Sequence, residues 1–167
     1  MRRKSISGPG VLLKGLMTVL LGLTLVTAAW AGGQAPDFKL PSVLDGKEYS
    51  LSQFRGQVVL INFFTFFCGP CREEMPHLNQ IYHEYKSRGF VTIGIGLSSD
   101  PTQLRFLVKQ LGLDYPVLVG TDKVSKEYGN VEVVPTTFII DRGGNIAHKV
   151  MGARSQADFE KMIRSLL

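Results

Sequence analysis

The chain has 167 residues, enough for one domain with its own core, and 20% of them are charged. Its net charge of +5 is concentrated at the start: Arg2, Arg3, Lys4 and Lys14 fall in the first 31 residues, which carry no Asp or Glu. The remainder holds 15 Lys and Arg against 14 Asp and Glu, which leaves no basic face interleaved with aromatics of the kind that binds nucleic acid.

The first predicted segment is an export signal over residues 1–31. Arg2-Arg3-Lys4 is a positive start, Leu16 to Trp30 an apolar stretch, and Ala29-Trp30-Ala31 a small-x-small cleavage site. As a helix, Leu16 to Ala31 spans only about 24 Å, short of a ~30 Å hydrocarbon core. The alternative is an uncleaved anchor that recruits Val11-Leu12-Leu13. Both readings place Gly32 onward outside the cytoplasmic membrane, in the periplasm or at the outer face of the membrane, because the positive residues stay inside.

Residues 32–36 form a short linker, and one domain follows over 37–167. Asp37 to Pro41 and Tyr49 to Ser52 are predicted as short strands around a turn at Asp45-Gly46, followed by a helical turn from Leu51 to Arg55. Val58 to Phe64 is apolar and rich in β-branched residues, as expected for a central strand covered on both faces. A helix starts near Pro70 and ends near Ser87-Arg88-Gly89, with Met75, Leu78, Tyr82 and Tyr85 inward and a kink at Pro76. Val91 to Gly96 is a second buried strand. Leu104, Leu107, Val108 and Leu111 line a second helix closed by Gly112. Tyr115 to Val119 is a strand and Val124 to Tyr128 a short helix. Thr136 to Ile140 and Ile146 to Met151 form a hairpin around Arg142-Gly143-Gly144-Asn145. Ser155, with Asp158 as partner in a capping box, begins a last helix that turns Phe159, Met162, Ile163 and Leu166 inward. The alternation of strands and helices predicts an α/β sandwich with a mixed central sheet.

Cys68 and Cys71 are the only cysteines, and they sit where a strand hands over to a helix. Unpaired N–H groups and the positive end of the helix dipole favour a thiolate at that point. A thiolate is the attacking species in thiol–disulfide exchange, and a second cysteine one turn on can resolve the mixed disulfide. As a structural staple the pair is badly placed, because a three-residue loop removes little chain entropy. Covalent haem attachment needs His after Cys71, where Arg72 stands. Zinc needs about two more ligands, with only His77, His83 and His148 on offer. The residues therefore ask for redox chemistry on sulfur, with no metal.

Four motifs carry a family resemblance: Val59-Leu60-Ile61-Asn62-Phe63-Phe64, Cys68-Gly69-Pro70-Cys71, Glu74-Met75-Pro76, and Val134-Pro135-Thr136-Thr137-Phe138-Ile139-Ile140-Asp141. Together they resemble the thioredoxin fold, and within it the extracytoplasmic thiol–disulfide oxidoreductases related to TlpA, ResA and CcmG. The resemblance implies a thioredoxin-like three-layer sandwich with an N-terminal β extension and a helix–strand insertion between Gly94 and Tyr128. It implies Cys68 as nucleophile and Cys71 as resolving cysteine. Gly69-Pro70 is the dipeptide of reducing thioredoxins and implies an electron donor. Pro135 is expected cis, so that Val134 presents its backbone to an extended client; a trans proline at a strand start is the alternative. Phe64 and Phe67 stand where the family commonly has tryptophan, which leaves the reaction intact and bears on partner preference. Thioredoxin keeps a buried Asp where this chain has Asn62. The resembled group instead carries a buried acid at the place of Glu74, which implies proton exchange with Cys71; a solvated charge like that of Glu73 is the alternative.

The substrate-contacting set is accordingly Phe67, Gly69, Pro70, Val134 and Pro135. No cofactor beyond the Cys68–Cys71 disulfide is expected, and a monomer is. Disulfide-bearing proteins are the implied clients, apocytochrome c among them, with electrons from a membrane donor of the DsbD or CcdA type. Two other classes compete. Ala35-Pro36-Asp37-Phe38 and Thr65 resemble a peroxiredoxin, but Ile61 replaces the proline that such a peroxidase needs. A non-catalytic binding module needs neither both cysteines nor the Gly-Pro between them.

Overall fold

The structure, a computed structural model, describes residues 32–167; the expected signal or anchor over 1–31 lies outside the described residues. Strands β1 (Lys39–Pro41) and β2 (Glu48–Ser50) pair antiparallel as a separate hairpin. A 3-10 turn at Leu51–Phe54 leads to β3 (Val58–Phe64) and α1 (Gly69–Tyr85). Then come β4 (Phe90–Gly96), α2 (Pro101–Leu111), β5 (Val117–Val119), α3 (Asp122–Glu127), β6 (Thr136–Ile140), β7 (Ile146–Met151) and α4 (Gln156–Arg164). The main sheet has the order β5-β4-β3-β6-β7. β3, β4 and β5 run parallel, whereas β6 opposes β3 and β7 opposes β6.

Every residue of β3 is buried, and the period of two along a strand divides them between two cores. Val58, Leu60 and Phe64 pack against Met75, Leu78, Ile81 and Tyr85 of α1 and against Leu104, Phe159 and Ile163 of α2 and α4. Val59, Ile61 and Phe63 face Phe38, Leu40 and Leu51 of the N-terminal segment and Val124 and Tyr128 of α3. Each such side chain contributes about 1.5–3 kcal/mol when fully buried. Helices on one face, and the hairpin with α3 on the other, make the three layers. Segment α2–β5 widens the sheet by one parallel edge strand. A Cβ at Gly96 would lie 2.5 Å from Leu104 Cδ2, so the glycine is what lets α2 settle on β4.

The helix starts follow sequence rules. Asp100 and Ser155 accept hydrogen bonds from the N–H groups of Thr102 and Asp158. The capping box at Ser155 is half realised, because the Asp158 carboxylate accepts from the serine hydroxyl at 2.7 Å. Helix α1 continues through Pro76 as one element, and its inward residue in the fourth turn is Ile81, with Tyr82 half-buried.

Candidate active site

The sheet places the central strand β3 beside the antiparallel strand β6, so that the loop after β3 and the loop before β6 meet. Cys68 is the N-cap of α1, and its Sγ accepts from the Cys71 N–H at 3.2 Å. Its own N–H donates to the Thr65 carbonyl, while the Phe66 N–H donates to Ser99 Oγ at 2.9 Å. The loop is thereby held from both sides. Cys68 and Cys71 form a disulfide with their Cα atoms 5.3 Å apart. Cys68 is partly exposed and Cys71 fully buried. Gly69 and Pro70 are exposed between them, and nothing lies within 4 Å of where a Gly69 Cβ would stand. Across the site the Val134–Pro135 peptide is cis, and the Val134 carbonyl oxygen lies 3.8 Å from Cys68 Sγ. The candidates Cys68, Gly69, Pro70, Val134 and Pro135 are thus brought together. Phe67 stands on the rim, whereas Phe64 is buried in the core beneath.

Glu74 lies one turn below Cys71 on the inner face of α1 and is 2% exposed, unlike its exposed neighbour Glu73. Its Oε1 accepts from Asn62 Nδ2 at 2.9 Å and its Oε2 from the Arg154 backbone N–H at 2.8 Å. Loss of water raises its pKa to about 7, and these two donors hold the rise back by favouring the carboxylate. Asn62 reaches the acid because alternation along β3 puts it on the helix side with Leu60 and Phe64. The same amide donates to Thr137 Oγ1 at 3.0 Å, directly across the β3–β6 register. Arg154 and Thr137 are the site residues that the sequence reading did not single out. Asn62→Leu removes one carboxylate-stabilising donor while keeping the number and branching of side-chain heavy atoms. The midpoint of Glu74 titration, followed in the pH profile of thiol–disulfide exchange, is expected to rise by about one unit. An unmoved midpoint would show that the amide does not govern the acid.

His77 and His83 are exposed on α1, and His83 pairs with Asp114 at 2.7 Å. Among the described residues no three His, Cys, Asp or Glu side chains converge on a metal position.

A redox-competent cysteine pair at a helix start, beside a cis proline and above a buried acid, is the arrangement that comparison with known proteins then meets. The sequence model of the Redoxin family matches residues 30–163. The chain belongs to the Redoxin family. Within that family its relatives include the thiol–disulfide oxidoreductase ResA of Geobacillus kaustophilus, 34% identical over 141 residues that cover 84% of this chain and 80% of the relative. ResA of Bacillus subtilis is 29% identical over 163 residues, covering 90% of each chain. The crystal structure of a thiol:disulfide interchange protein of the thioredoxin family from Chlorobium tepidum superposes with a TM-score of 0.76 at 32% identity, over 81% of this chain and 96% of that one. This Redoxin-family chain is a thiol–disulfide oxidoreductase with a thioredoxin-like fold.

Proposed function

We propose that this protein works outside the cytoplasmic membrane, where it reduces disulfides of client proteins with the Cys68–Cys71 dithiol as its only redox group. The observation that carries the reading is the placement of the Cys68 sulfur, partly exposed at a helix start and 3.8 Å from the Val134 carbonyl. The Cys68 thiolate attacks one sulfur of the client disulfide, and the other client sulfur leaves as thiolate. Cys71 then attacks Cys68 Sγ, closes the 68–71 disulfide and releases the second client thiolate. Glu74, one turn away, accepts the Cys71 proton in that second step. Two electrons from a membrane dithiol donor of the DsbD or CcdA type restore the dithiol.

The basic and apolar leader over 1–31 supports export, and the family resemblance carried by Cys68-Gly69-Pro70-Cys71 and Val134-Pro135 is the ground for proposing apocytochrome c cysteines as clients. Equilibration with glutathione buffers is expected to place the couple below about −200 mV, among reductants. In the same buffers the protein should reduce an oxidised peptide that carries Cys-x-x-Cys-His. A potential near that of DsbA, about −120 mV, would make it an oxidant instead.

A further inference from the structure

The rim of the disulfide carries aromatic side chains that the exchange chemistry itself does not require. Phe67 is 79% exposed, and Phe66 meets it edge to face with 4.9 Å between ring centroids. The Arg72 guanidinium lies over the Phe66 ring at 5.8 Å and donates to Gln110 Oε1 at 2.7 Å. That hydrogen bond ties the start of α1 to α2. Phe106 stands one helical turn before Gln110, hence on the same side of α2, and is 59% exposed. Leu104, Leu107 and Val108 dock α2 on the sheet, so the helix is held without Phe106. On the other side of Cys68, Val133 is also exposed, beside the Val134 carbonyl that faces the sulfur.

Exposed aromatic groups at a reactive centre, here Phe67 and Phe106 with the half-buried Phe66, mark the place where a partner seats. We infer that Phe67, Phe66 and Phe106, linked through Arg72 and Gln110, form a docking ridge for the client polypeptide, which seats an apolar side chain a few residues from the client's reactive cysteine. The inference rests on the oxidoreductase reading and deepens it. Continuity with the exchange site decides the occupant: a segment joined through its sulfur to Cys68 has Phe67 immediately beside it and α2 next along the surface. Phe67 is positioned to meet any client. Phe106 gives α2 a part in choosing among them.

Two extended peptides of equal length test this, each carrying one cysteine as a mixed disulfide with glutathione. One has leucines and the other serines at the positions flanking the cysteine. Cys68 of the reduced full-length protein takes the peptide sulfur and expels glutathione thiolate; Cys71 then frees the peptide thiol. The leucine peptide is expected to react about tenfold faster, since burying one leucine is worth at least that ratio. Phe106→Ser should cut this preference about fivefold while the rate with oxidised glutathione stays as in the wild type, and Phe106→Leu should restore it. Equal rates for the two peptides in the wild type, or a preference that stays near tenfold in Phe106→Ser, would overturn the ridge. A wild-type protein inert toward oxidised glutathione would overturn the oxidoreductase reading beneath it.

Discussion

Cys71→Ser is expected to stop turnover and leave clients covalently attached to Cys68. Cys68 sits at the start of α1 with its sulfur accepting from the N–H of residue 71, a backbone group that serine retains. The attack therefore survives the substitution, and only the resolving thiol is lost. Turnover should fall by at least about a thousandfold, since the two sulfurs act as a unit. Non-reducing electrophoresis and mass spectrometry should find a one-to-one adduct on Cys68. Cys68→Ser should form none, because the remaining sulfur of Cys71 is fully buried. Adducts that form as readily on Cys71 would reverse the roles of the two residues.

Glu74→Gln is expected to change both catalysis and stability, in opposite directions. The wild-type carboxyl holds its proton up to about pH 7, so the rate of the resolving step should climb through that pH as carboxylate appears. The glutamine variant should lose about a hundredfold above pH 7.5 and show a flat profile, the scale on which a positioned acid–base group contributes. A profile that keeps its rise would remove Glu74 from the mechanism. Stability has the following sign. The folded-state value lies above the 4.5 of the unfolded chain, so the folded form binds the proton more tightly. The stability linked to this group is full below about pH 4.5 and is lost as pH rises through about 7, to a total of about 3 kcal/mol. Denaturant unfolding of the oxidised protein at several pH values should show that slope, and Glu74→Gln should lack it.

The elements are largely legible in the sequence because their signals are local. Val58 to Phe64 reads as a buried strand by composition. Ser155 and Gly112 mark helix ends through cap geometry that depends on a few neighbouring residues. Spacing alone does not choose which face of a helix is buried. The fourth turn of α1 carries Ile81 and Tyr82 in succession, and both fit an inward position; packing against the sheet buries the first and leaves the second half out.

The chemistry divides in the same way. Spacing placed Cys71 one turn from Cys68 and Glu74 one turn from Cys71, and the strand before them put the pair at a helix start. Those facts follow from the rise and period of a helix, which any stretch of chain obeys. The partners of the acid needed the tertiary structure. Thr137 meets Asn62 only because β6 enters the sheet antiparallel beside β3 in one register. Arg154 serves through its backbone N–H, a group that every residue but proline carries, so no side chain announces it. The ridge from Phe67 to Phe106 likewise joins two helices through the bond of Arg72 to Gln110, 38 residues apart. Sequence alone therefore determined which sulfurs react and where the neighbouring acid sits along the helix. Tertiary structure decided how strongly water is excluded from that acid and what surface a client meets, because burial and register arise only when distant segments pack.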